Sequence, residues 1–161
     1  MNHIGKYRHT NLLFFERSII MKIYEKSVGA IIYYIDEQHD YYFLVQQHVN
    51  GDHWAFAKGH VEDGETEYET ALREVHEETG LLEVTLDMNF RESTVYSPKE
   101  NVEKEVVYFI ARTTPLAAKA VVKQDIEIKN IEFLNLEDAV NRVTFENDKK
   151  ILKKAFEYLV S

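Results

Sequence analysis

The stretch from Thr66 to Gly80 constrains this chain most, because it carries the signals that start and stop a helix. Thr66 stands where an N-cap hydroxyl belongs, and Glu69 follows three residues later. That is the pattern of a capping box, in which each of the two side chains satisfies a backbone N–H at the helix start. Gly80 sits where a left-handed stop is needed, a backbone state that suits glycine. Residues 66–79 are therefore read as one helix, and the runs around it read as strands. Residues 28–35 and 41–49 are rich in β-branched and aromatic side chains and flank the polar Asp36-Glu37-Gln38-His39-Asp40, a strand, turn, strand unit. Further strands are expected at 81–86, 90–96, 105–112 and 129–134, with helices at 136–143 and 147–160. Residues 50–65, with their glycines and charges, read as a surface connection. Strands before, between and after helices imply an α/β fold with a mixed sheet covered on two sides.

The 161 residues, 45% of them hydrophobic, suffice for one well-cored domain and are too few for two. Lys plus Arg total 19 against 28 acidic residues, a net charge of −9, which excludes a broad basic face for duplex DNA. A phosphate ligand would need a cation to screen it from this acidic chain, and a divalent metal fills that role. The absence of cysteine excludes disulfides, thiolate metal sites and a cysteine nucleophile. No run reaches the roughly 18–20 apolar residues of a membrane-spanning helix, so a cytoplasmic protein with no membrane partner is expected. The apolar cluster Leu12 to Ile20 is broken by Glu16 and Arg17 and has no small-residue cleavage site, so it is not read as a signal peptide. Met21 opens a cleaner beginning, and residues 1–20 are expected to be an extension upstream of a natural start, with 21–161 the domain.

The helix is more acidic than stability requires. At 3.6 residues per turn Ala71, Leu72, Val75 and Thr79 form a stripe, and Glu74, Glu77 and Glu78 share an arc of about 100° beside it. Like charges at this spacing repel by about 0.2–0.5 kcal/mol per pair, so packing alone does not select the triplet. A solvated acidic face is the ordinary explanation of such a helix. Here a glycine-bearing loop precedes the helix and Arg73 stands beside the triplet, able to hold a carboxylate in a two-pronged contact. Clustered carboxylates also suit a hard divalent cation that shares its shell with water and phosphate.

These residues spell a known pattern. Gly59, five residues, Glu65, seven residues, Arg73-Glu74-Val75, one residue, Glu77-Glu78, one residue, Gly80-Leu81 match every fixed position of the Nudix box. The chain resembles the Nudix hydrolase family, which implies an α/β/α sandwich around a central mixed β-sheet and a hydrolase acting with Mg²⁺ or Mn²⁺ on a nucleoside diphosphate joined to another group. Within that family, Lys58-Gly59-His60-Val61-Glu62, Phe90-Arg91-Glu92 through Tyr96, Glu105-Val106-Val107-Tyr108 and Leu136-Glu137-Asp138-Ala139 resemble the asymmetrically cleaving diadenosine tetraphosphate hydrolases. Ala57 departs from the proline those enzymes usually carry, which frees the loop backbone and removes no chemical group.

The resemblance implies roles for individual residues. Glu74 and Glu78 would be metal ligands, with Glu77 a further ligand or a base acting through a metal-bound water, and the Lys58 carbonyl an added ligand. Arg73 would orient the glutamates with Glu65 as its partner, and Gly59 and Gly80 would be structural. Glu127 would approach from another loop as ligand or base, with Glu103 or Asp125 as substitutes. Tyr108 and Phe145 would stack on the nucleobase, while Lys58, His53 and Arg91 would bind phosphates; Tyr108, in an alternating strand, also fits a core position. Trp54 reads as a packing anchor of its loop. The expected partner is a small-molecule nucleoside polyphosphate, and the expected protein a monomer or dimer. The primary reading is cleavage of diadenosine tetraphosphate to ATP and AMP. Its alternatives are a pyrophosphohydrolase of nucleoside triphosphates or RNA 5′-triphosphates and a non-catalytic nucleotide-binding regulator.

Overall fold

The computed structural model describes residues 8–15, 18–122 and 125–161, with side chains from Met21 onward. In chain order the elements are β1 (Arg8–Phe15), β2 (Ser18–Ile35), β3 (Tyr41–His48), β4 (Trp54–Ala55), β5 (Ala57–His60), α1 (Glu67–Thr79), β6 (Thr85–Lys99), β7 (Val102–Arg112), α2 (Pro115–Lys119), β8 (Ile128–Leu134), α3 (Leu136–Arg142) and α4 (Glu146–Val160). The extension expected over residues 1–20 lies partly outside the described residues, and β1 pairs antiparallel with the first part of β2.

Strand β2 organises the mixed sheet. One of its edges carries β7 in parallel over residues 23–33. The other edge is shared in turn by β1, by β5 over residues 27–30 and by β3 over residues 33–35, all antiparallel. The β2–β3 turn closes on Asp36, whose carboxylate accepts from the backbone N–H groups of Gln38 and Asp40, both at 2.9 Å. Beyond the Tyr33–Phe43 pair the two strands diverge, and residues 54–60 fill the fork, β4 on β3 and β5 on β2.

That corrects the expectation of a surface connection. Ala55, Phe56 and Ala57 are at most 1% exposed, because two parting strands leave unpaired edges and a gap that an extended apolar segment satisfies. Gly29 permits the approach, since a Cβ there would lie 1.8 Å from the Ala57 carbonyl oxygen. A second correction concerns the strands after α1. Residues 85–99 form one long strand with register shifts between Asp87 and Glu92 and between Tyr96 and Lys99, in place of the two strands expected. Leu81 is instead buried beneath α1 in the cluster with Val75. Helix α2, absent from the sequence reading, is capped by Thr114 with Pro115 in its first turn.

Strand alternation divides the core between two faces. Val106, Tyr108 and Ile110 of β7 pack with Ile31 and Phe43 against Ala139, Ile151, Leu152 and Ala155 of α3 and α4. Val107 and Phe109 turn the other way to meet Val28 and Ala71, and Ala111 joins Val75 on that same side under α1. The result is the sandwich with helices on both faces that the sequence implies.

Candidate active site

Helix α1 keeps the termini read from its sequence: Thr66 and Glu69 form the capping box, and Gly80 takes a left-handed φ of 74°. Its burial is asymmetric. Glu74 and Glu78 face inward at 8% and 6% exposure, whereas the Glu77 side chain is 53% exposed. The three acids thus do not share one environment, although the helix wheel puts them on one arc.

Arg73 ties this helix to the segment before it. Its Nε and Nη2 donate to the two carboxylate oxygens of Glu65 at 2.7 and 2.9 Å, and Nη2 also donates to the His60 carbonyl at 2.9 Å. Its Nη1 donates to Glu74 at 2.7 Å and to Glu77 at 3.2 Å. A planar guanidinium can serve all of these acceptors at once, which an ammonium cannot. These hydrogen bonds hold the Glu65 carboxyl down at about 2.

The two buried acids are pushed the opposite way. Burial raises the Glu74 carboxyl to about 7 against the pull of Arg73. Burial also raises Glu78 to about 8, opposed by the hydrogen bond from Gln46 and reinforced by the charge of Glu74. Gln46 is fully buried on β3, and its amide N–H donates to the Glu78 carboxylate while its own carbonyl oxygen has no partner among the described residues. Desolvated carboxylates side by side, offering oxygen atoms and lacking protons at higher pH, are a donor set that fits a hard divalent cation.

Lys58 stands next to Gly59 on β5, near a second group of residues. Its charge acts on His48, His53 and Asp148 as well as on Glu78. His48 and His53 stack with ring centroids 4.5 Å apart, and His53 lies 5.5 Å from Phe145. Burial and the Lys58 charge lower both imidazoles, His48 to about 4, so the pair is neutral at pH 7. Phe145, the N-cap residue of α4, is 52% exposed. Trp54 is held to the segment before α4 by reciprocal contacts with Thr144 at 2.9 and 3.0 Å, and Arg142 lies 4.7 Å above its ring.

Three assignments change. Tyr108 has no exposed surface; its ring meets Phe56 edge-on in the core, so it offers no face for a base. Its side of β7 is the one covered by α4, which alternation alone does not reveal. Arg91 is paired with Glu67 at 2.7 and 2.9 Å and faces Glu105 at 3.6 Å, near the start of α1 rather than beside Glu74 and Glu78. Glu127 is exposed, and it is Asp125 whose charge reaches both buried glutamates. The Asp125 carboxylate also accepts from the Glu127 N–H at 2.8 Å. Glu103 is engaged with Lys22 at 2.8 Å. Gln46 escapes the sequence reading, although a polar residue directly after Phe43-Leu44-Val45 in a strand core is a usable signal.

Known proteins resemble this chain in sequence and fold. The chain matches the NUDIX domain over residues 24–156. It is 30% identical over 157 residues to the asymmetrical bis(5′-nucleosyl)-tetraphosphatase of Sus scrofa, covering 96% of each chain. It is 25% identical over 146 residues to an RNA pyrophosphohydrolase of a Nitratiruptor species, covering 85% of this chain and 94% of that one. Among solved structures, a C. elegans Ap4A hydrolase binary complex superposes with a TM-score of 0.75 at 28% identity, covering 84% of this chain and 97% of that one. A domain match over most of the chain, with relatives of the same extent, establishes that this protein belongs to the Nudix family as a hydrolase of phosphorus-containing anhydrides.

Proposed function

We propose that the protein cleaves diadenosine tetraphosphate asymmetrically, with water, to ATP and AMP, using Mg²⁺ or Mn²⁺. The observation that carries this reading is the pair Glu74 and Glu78, buried opposite Gly59 and braced by Arg73 and Gln46. The relatives that bear the name of this activity match this chain over nearly its whole length.

Glu74, Glu78 and the Lys58 carbonyl would hold the metal. A divalent cation there supplies charge neutralisation for nonbridging phosphate oxygens and a water of lowered pKa. The remaining work belongs to side chains. Arg73 fixes the orientation of Glu74, and Gln46 fixes that of Glu78. Glu77, open to solvent beside them, accepts a proton from the attacking water, and Asp125 approaches from the loop before β8. Lys58 meets phosphate charge, with neutral His53 as a hydrogen-bond donor. Phe145 supplies an open ring face for a base, and Tyr96, 43% exposed on β6, takes the stacking role that Tyr108 does not fill. A cytoplasmic location follows from the same reading, since nucleotides are its substrate.

The RNA pyrophosphohydrolase relative favours a second reading, removal of pyrophosphate from a triphosphate. Ion-exchange analysis of products decides between them, after incubation with Mg²⁺ and, separately, diadenosine tetraphosphate, a nucleoside triphosphate and triphosphorylated RNA. ATP plus AMP from the dinucleotide is the expected result; pyrophosphate from the others, with the dinucleotide spared, overturns the primary reading.

A further inference from the structure

The residue that opens α4 is not the one that helix stability would choose. Phe145 holds the N-cap position and makes no side-chain cap hydrogen bond, where Ser, Thr, Asp or Asn would satisfy an open backbone N–H. Thr144, one residue earlier, has the needed hydroxyl, but that oxygen accepts from the Trp54 N–H at 2.9 Å. The Thr144 N–H in turn donates to the Trp54 carbonyl at 3.0 Å. Those two bonds set Phe145 beside His53, the residue before Trp54, with ring centroids 5.5 Å apart. Phe145 is 52% exposed, so burial of apolar surface does not account for its ring either.

A second feature leads to the same ring. His48 and His53 face each other where the β3–β4 ladder continues past Gln46–Ala55 and Gln47–Trp54, and the His48 N–H donates to the His53 carbonyl at 2.9 Å. Their rings stack with centroids 4.5 Å apart and planes 13° from parallel. His48 Nε2 is buried and has no hydrogen-bond partner among the described residues. A polar atom left in that state costs stability, so packing alone does not select histidine at this position. By strand alternation His48 shares its face of β3 with Gln46, which donates to Glu78, and two residues along a strand span about 7 Å. The imidazole pair therefore runs from the Glu78 side of the sheet to Phe145, three flat rings in contact and half exposed at the Phe145 end.

We propose that His48 is a positioning residue of the nucleotide site: stacked on His53, it fixes the plane of that ring and, through it, the Phe145 ring on which a nucleobase lies. The inference rests on the reading of this protein as a nucleotide hydrolase, and deepens it by naming what holds the stacking face in place. A lone Phe145 would turn about its side-chain torsions at the open end of a helix, and a base stacking on it would have to stop that motion. Held against His53, the ring is set before the base arrives, so less freedom is lost on binding. His48 needs no contact with substrate for this, which suits a side chain with a buried nitrogen and a partner ring in front of it. A flat ring in that place is what matters, so Phe can stand in for His48 and Ala cannot.

The test is a double-mutant cycle on AMP binding, measured by titration calorimetry with Mg²⁺ present. The intact chain, His48→Ala, His48→Phe, Phe145→Ala and the double variant His48→Ala/Phe145→Ala are each titrated with AMP and, separately, with inorganic pyrophosphate, which has no base. Phe145→Ala should weaken AMP roughly 10-fold, the usual effect of losing one stacking ring. His48→Ala should weaken it roughly 3-fold or more, a coupling of the size found between residues in contact. His48→Phe should bind AMP as the intact chain does. In the double variant the loss should equal that of Phe145→Ala alone, since His48 acts only through the ring that is gone. Pyrophosphate should bind all five forms alike, which a general loosening of the site would not allow. Thermal melts show whether each variant is folded, and His48→Leu, of similar bulk but without a flat face, replaces an unfolded His48→Ala. The proposal is overturned by additive losses in the double variant, by an equal loss of pyrophosphate, by AMP binding that is untouched in folded His48→Ala or lost in His48→Phe, or by no AMP binding in the intact chain. Hydrolysis of diadenosine tetraphosphate by the intact chain, assayed alongside, separates the two readings. Cleavage to ATP and AMP with no coupling between His48 and Phe145 sinks only the role of His48; coupling with the dinucleotide uncleaved sinks only the substrate.

Discussion

A Cβ on Gly59 would fall 2.0 Å from a carboxylate oxygen of Glu74, so β5 and α1 meet at a distance that only glycine allows. The obstructed atom is the end of a flexible side chain, which means Gly59→Ala displaces the carboxylate before it displaces either element. Turnover should fall roughly 100-fold, the cost of about 1 Å of misplacement at a reacting centre. The thermal midpoint should move by only a few degrees, and a variant that unfolds would show that the backbone, not the carboxylate, gives way.

Arg73→Lys keeps the charge and loses the fork. A lysine cannot serve Glu65, Glu74 and the His60 carbonyl together, so Glu74 is left without a fixed orientation. A loss of about 1–3 kcal/mol in urea unfolding is expected. Half-saturation by Mg²⁺ should rise roughly 10-fold or more, the usual effect of removing an orienting group behind a metal ligand. Unchanged metal dependence would show that Arg73 only staples the loop.

The buried glutamates set a pH dependence with a definite sign. Glu74 and Glu78 titrate at about 7 and about 8, above their ordinary 4.5, so the folded state binds more protons than the unfolded one. Their contribution to stability is full below pH 4.5 and is lost as pH rises through 7 and 8. Glu65, held down at about 2, behaves oppositely: its contribution is full above pH 4.5 and is lost as pH falls through 2. Melting of the metal-free protein should therefore decline between pH 5 and 8.5 in calorimetric scans. Glu78→Gln should flatten the decline and abolish turnover with the fold intact, and Mg²⁺ should restore the midpoint of the unaltered chain near pH 8. A rising midpoint over that range would contradict the burial of the pair.

Tyr108 separates core from site. Tyr108→Ala should cost about 3–5 kcal/mol by chemical denaturation, as loss of a large ring from a packed core does. Tyr108→Phe, which keeps the ring against Phe56, should unfold at nearly the same denaturant concentration. A stable Tyr108→Ala with only weakened substrate binding would return the residue to the ligand.

Features governed by neighbours along the chain are legible in the order of residues alone. The capping box at Thr66 and Glu69, the left-handed Gly80 and the spacing of Glu74 and Glu78 all follow from contacts within one or two helical turns. The two strands around Asp36 follow from period-two patterning and a turn residue that caps its own backbone. The box, read at its fixed spacing, is enough to imply the family and its sandwich fold.

What escapes such a reading is decided by contacts distant in sequence. Alternation shows which residues of a strand share a face but not which face a helix will cover, so it is the packing of α4 over β7 that settles Tyr108 as core. Residues 54–60 resemble a loop because the gap they fill exists only once β2 and β3 diverge. Arg91 is free to be a phosphate ligand until the fold sets Glu67 and Glu105 beside it. The same holds for Gln46 and Asp148, polar residues whose meaning depends on what is buried next to them. The sequence by itself determined the helix, its termini and the chemistry of the acids it carries, because those are set by local geometry; the tertiary structure alone decided which acids lose their water, because desolvation depends on residues far away along the chain.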